Sequence, residues 1–88
     1  MRETYIDEPV TAQVRFAPGG AVQPVAFTWR EHTHYLTGLG RQWTEQASGQ
    51  EWRRFLAQTA SGDTVDLRWN RQSNEWRLWR AWWRGAQA

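Results

Sequence analysis

Apolar and polar residues alternate with a period of two through most of this chain, and no other feature restricts its fold so strongly. Val10, Ala12, Val14 and Phe16 alternate with Thr11, Gln13 and Arg15, for example. Successive side chains of a β-strand point to opposite faces, so such a segment buries one face and wets the other. Helical periodicity is hard to find. Turn residues break the pattern at fairly regular intervals, as in a meander of short strands.

The first strand is Val10 to Phe16, ended by Pro18-Gly19-Gly20. A second runs from about Pro24 to Glu31, with a tight turn expected near His32 and Thr33. The third, Tyr35 to about Gln46, contains Gly38 and Gly40, and interior glycines mark a bulge or sharp bend. About six antiparallel strands follow, an all-β fold in which the meander forms a strongly curved sheet or small open barrel. The chain reads as a single β domain over residues 1–88, with 1–8 and 85–88 as flexible ends.

The last two hairpins can be assigned a register. With Ala60-Ser61-Gly62 as a three-residue loop and Gly62 left-handed, Ala57 faces Val65 and Phe55 faces Leu67. For the final hairpin, a loop from Asn70 to Ser73 places Trp69 opposite Asn74, Leu67 opposite Trp76 and Val65 opposite Leu78. That register pairs Arg68 with Glu75 and Asp66 with Arg77, whereas a two-residue slip would oppose Arg68 and Arg77. Phe55, Val65, Leu67, Trp69, Trp76 and Leu78 are the expected core. Arg54, beside Arg68, has no evident acidic partner in this scheme.

A domain of 88 residues buries only about 60 to 65% of its unfolded surface. Large aromatic side chains compensate for that, and this chain has eight Trp, two Tyr and three Phe. With no cysteine, neither a disulfide framework nor a thiolate zinc site is available. No signal-peptide segment opens the chain and no stretch nears the ~18 apolar residues of a membrane helix; a cytoplasmic protein without membrane contact is the expectation. All eleven basic residues are arginine. Residues 1–51 hold four of them against six acids, and residues 52–88 hold seven against three. A mildly basic second half suits an anionic partner, although the excess is smaller than in dedicated DNA-binding domains.

Catalytic motifs are weak. His32 and His34, two apart on a strand, point to one side and offer two metal ligands, but structural sites want four and catalytic sites three. Ser48, Ser61 and Ser73 sit in turn-like contexts, where turn chemistry accounts for them. Gly19-Gly20 lies between strands rather than before a helix, so it is no phosphate loop. Neither an enzyme nor a bound cofactor is expected.

Tryptophan interleaved with arginine, in EWRRFL and EWRLWRAWWR, is the remaining signal. Strict alternation puts Trp76, Leu78, Arg80 and Trp82 on one face of the last strand and Arg77, Trp79, Ala81 and Trp83 on the other. Outward indoles can simply stack on guanidinium planes, stack nucleic-acid bases or anchor a protein interface. Arg54, Arg68, Arg77, Trp79 and Trp83 are therefore the candidate partner-binding residues. An exposed Trp strand at a sheet edge could also pair with its copy in a homodimer.

The segments EPVTAQV, VAFTWREHTHYL, QWTE, FLAQTASGDTVDLRWN and EWRLWRAW, taken in order, resemble a small uncharacterised bacterial domain family across residues 5–83. Glu31 stands where that family tends to have Gly, Asn70 replaces its usual Asp, and Gly38 interrupts a more apolar strand. Members are encoded in high-GC bacteria, often near a Y-family translesion DNA polymerase and its accessory genes. The resemblance implies a role in DNA-damage tolerance and no catalytic residues. The expectation is a non-enzymatic accessory module that binds a protein partner, such as DNA-repair machinery; single-stranded nucleic-acid binding by the Trp/Arg face is the alternative.

Overall fold

The computed structural model describes residues 2–84, which form six antiparallel strands. These are β1 (Arg2–Phe16), β2 (Val22–Trp29), β3 (His32–Ala47), β4 (Gln50–Thr59), β5 (Thr64–Asn70) and β6 (Glu75–Trp83). Each pairs with the next, and β1 pairs with β6, so the hydrogen bonds close into a ring. The ring is uneven: four residue pairs join β2 to β3 and nine join β3 to β4. No described residue is helical, so no helix is long and apolar enough to cross a membrane.

Residues 2–8, expected to be a flexible end, are instead the first half of β1. They are held because Arg2 to Val10 pair with Trp83 to Trp76, while Thr11 to Phe16 pair with β2. One long strand thus serves two parts of the ring. The expectation for 85–88 lies outside the described residues. Strand β6 is paired on both sides, which removes the edge through which two copies were expected to join.

The glycines of β3 act as expected. Its register with β4 shifts between Leu36 and Gly38 and again between Leu39 and Gln42, which bends the strand. Gly62 adopts φ +93°, and the amide of Thr59 donates to the carbonyl of Asp63, closing the anticipated three-residue loop. Phe55 faces Leu67 and Ala57 faces Val65. The turn expected near His32 comes two residues earlier, at Arg30 and Glu31, both with positive φ. A two-residue turn of that kind favours glycine, and this chain makes it with Arg and Glu.

The final hairpin corrects the expected register. Trp69 faces Trp76, Arg68 faces Arg77 and Leu67 faces Leu78, the slip that like charge argues against. Two features outweigh the repulsion. Asn70, which is buried, accepts the amides of Gln72 and Ser73 through its side chain, so the loop begins at Arg71, one residue late. Asp7, in the segment expected to be flexible, accepts the Arg77 Nε at 2.7 Å and lies 3.7 Å from Arg68.

Beyond Leu78 the register shifts again, so that Asp66 faces Arg80 and Trp79 is left as an extra residue. The β1 register shifts opposite the same point, where Asp7 has φ +50°. The bulge reverses the alternation of β6. Trp76 and Leu78 are buried before it and Ala81 after it, with Trp83 packed against the same core. Phe27, Phe55, Val65, Leu67 and Leu78 fill the barrel with no exposure, and Trp69 packs beside them.

Candidate binding surfaces

The outer face of β4, β5 and β6 carries four of the five expected binding residues, and the structure shows that most of their capacity is already used. Side chains of Trp43, Arg54, Trp79, Arg68 and Trp52 follow one another as alternating indole and guanidinium. Arg54 lies 5.0 Å from the Trp43 ring and 5.7 Å from Trp79, and Arg68 lies 4.3 Å from Trp79 and 4.4 Å from Trp52. Such contacts are stabilising when desolvated.

Arg54, expected to lack an acidic partner, is 5% exposed and is bound by Asp66 and Glu45. Alternation explains it: Arg54 and Asp66 both point outward from neighbouring strands, close to one another across the β4–β5 hairpin. Asp66 has no exposure and also accepts Arg80 Nε at 2.9 Å. Arg77, expected beside Asp66, is held by Asp7 and Glu75 instead. The Nε of Arg68 is buried without a hydrogen-bond partner, its flat faces packed against two indoles. Burial lowers the pKa of Arg68 from its usual value, with the Asp7 charge opposing. This layer is a second packed region outside the barrel rather than an open platform.

Trp83, the fifth candidate, faces the other way. The bulge at Trp79 turns it to one end of the barrel, where it stacks on Trp29 with ring centroids 5.7 Å apart. Trp29 and Arg30 both donate to Glu8. Those two hydrogen bonds, Arg30's first, hold the Glu8 carboxyl below its usual range. Two clefts share Trp29, Arg30 and Trp83 as walls. One, about 280 Å³, adds His32, His34, Asp63 and Arg84. The other, about 340 Å³, extends towards Arg2 and Tyr5 on β1.

His32 and His34 do share a side of β3, as their spacing implies, and both line the smaller cleft. Among the described residues no three His, Cys, Asp or Glu side chains group closely enough to hold a metal. His34 stacks on Phe27 at 4.9 Å. Burial pushes its pKa below 6.5, Asp63 opposing and His32 reinforcing. The unfolded chain therefore gains a proton near that value while the folded chain resists it. This contribution to stability is complete above about pH 6.5 and is lost as pH falls below it. His34→Gln should show a smaller loss of urea midpoint between about pH 7.5 and about pH 5.5 than the parent protein; equal losses would count against this account. Ser61 donates to Asp63 and Ser73 accepts the amide of Glu75, both within loops.

At the other end of the barrel, a groove of about 480 Å³ runs between β1 and the β5–β6 hairpin. Val10, Ala12, Val14, Phe16 and Val22 form one wall, Trp69 and Trp76 the other. Phe16 is 73% exposed and Val14 38%. Here β1 has left β6, so the outer edge of Thr11–Phe16 pairs with no described strand. Sequence reasoning misses this groove, although the alternation that makes Val14 and Phe16 neighbours on one face is its visible sign.

Comparison of the chain with protein-family models, with curated proteins and with solved structures finds no match in any of the three.

Proposed function

We propose that this chain is a non-enzymatic accessory module, cytoplasmic, that docks onto a protein partner by accepting an extended segment in the β1 groove. The observation that carries the reading is the coincidence there of an unpaired strand edge with exposed Val14 and Phe16. Main-chain hydrogen bonds to a sheet edge supply affinity, and apolar pockets beside the edge supply selectivity. Exposed apolar patches of this kind mark association sites. The Arg/Trp face expected to do this work is supported less well, because its groups already satisfy one another. The link to DNA-damage tolerance implied by the family resemblance belongs to the same proposal.

Placing a photo-crosslinking amino acid at position 16, and in a second version at position 79, tests the reading inside the producing cells. A discrete protein adduct from position 16, abolished by Val14→Asp and absent from position 79, is the expected result. Adducts from position 79 alone, or none from either, would overturn it. Thermal melts of each variant establish that the fold persists.

A further inference from the structure

From the smaller cleft at the opposite end of the barrel we infer a second, separate site, one that takes a nucleobase bearing a phosphate, as in single-stranded nucleic acid or a free nucleotide. Its walls are planar. Trp83 gives one face to Trp29, and its ring lies 6.4 Å from the His34 imidazole at a 42° tilt. Burial lowers the His34 pKa and so favours the uncharged ring. Bases stack on aromatic faces regardless of sequence.

The rim supplies the charge. Arg84 follows Trp83 directly and forms no ion pair with any described residue. Its guanidinium lies where a side chain on residue 62 would be, with Nη1 2.9 Å from the position of a Cβ there. Gly62 therefore leaves room for it. Arg30 is paired with Glu8 yet remains 64% exposed, so further donors face solvent. The one carboxylate lining this cleft, Asp63, is occupied by the Ser61 hydroxyl and the Arg84 amide.

Around the cleft Trp29 pairs with His32 and Trp83 with Arg2, while the β4-facing edge of His32–His34 pairs with no described strand. The lining itself is ring faces and guanidinium groups, the combination that binds base and phosphate.

The test is titration of the whole protein with an oligodeoxyadenylate and, separately, with AMP, followed by tryptophan fluorescence at low salt. Quenching with saturation is expected, weakening with salt at a log–log slope of about −0.7 per phosphate held. Arg84→Gln should reduce affinity at least fivefold. Trp83→Leu should do so by a similar or larger factor, and Trp79→Phe on the outer face should leave it unchanged. Because Trp83 contacts the core, the exposed Arg84→Gln variant decides the matter if Trp83→Leu misfolds. Equal binding of AMP and oligonucleotide identifies a free nucleotide as the ligand; binding of the oligonucleotide alone identifies a strand. No quenching by either, or binding indifferent to Arg84→Gln, overturns the inference and leaves the β1 groove reading untouched.

Discussion

Arg54→Met should lower the unfolding free energy by about 3 to 5 kcal/mol, the range found when one partner of a buried ion pair is removed. The size follows from what remains. Asp66 has no exposure and would keep only Arg80, which is itself partly exposed, to balance its charge. Trp43 and Trp79 would also lose the guanidinium between them. Arg54→Lys should fall between, since an ammonium keeps the charge but not the two-pronged contact with Asp66. Urea unfolding at neutral pH measures all of this, and the double variant Arg54→Met, Asp66→Leu should be less destabilised than the two single losses combined. A cost below about 1 kcal/mol for Arg54→Met would show that the outer layer is ordinary exposed salt-bridge chemistry.

Phe55→Ala should have an effect of the same size, about 3 to 5 kcal/mol, by a different route. Phe55 has no exposure and stacks on Trp76 at 5.6 Å, which in turn stacks on Trp69 at 5.5 Å. Removing the ring leaves a cavity beside the Trp76 indole. An 88-residue domain holds about 4 to 13 kcal/mol in total, so this variant should be partly unfolded at 37 °C. Denaturant melts give the energy, and loss of near-ultraviolet circular dichroism reports the disturbed indoles. Phe16→Ala is the comparison, since its ring is mostly exposed and should cost less than about 0.5 kcal/mol. Equal costs for Phe55 and Phe16 would contradict the assignment of the barrel interior.

Alternation of side chains and the chemistry of glycine turns are enough to read the strands, their number and the β4–β5 register from sequence. What escapes such reading traces largely to one segment. Residues 2–8 look polar and acidic, which suggests a loose end, yet Glu3, Asp7 and Glu8 are the partners of Arg80, Arg77 and Arg30. Without Asp7, facing Arg68 with Arg77 looks prohibitive; with it, the pairing is allowed. Arg77 and Asp7 stand 70 positions apart in the chain, and no local pattern announces an ion pair over such a span.

The candidate sites show the same division. Trp83 stands out in the sequence as unusual, but strict alternation assigns it to the wrong face, because a single-residue bulge inverts every later side chain. A run such as Leu-Trp-Arg-Ala-Trp-Trp contains no glycine to signal that bulge. Its cause is the fit of Trp79 between Arg54 and Arg68, a tertiary matter.

The joining of β1 to β6 also sets a timetable for the newborn chain. Arg2 to Val10 leave the ribosome long before β6, the strand they pair with, and at about 5 to 20 residues per second the wait is on the order of 4 to 15 s. Through that interval Asp7 and Glu3 are without Arg77 and Arg80, and the barrel is a strip open along one side. Charged side chains on an open strand edge disfavour pairing with other chains, so the carboxylates that later neutralise Arg77 and Arg80 have a first use as a barrier to neighbours on the polysome.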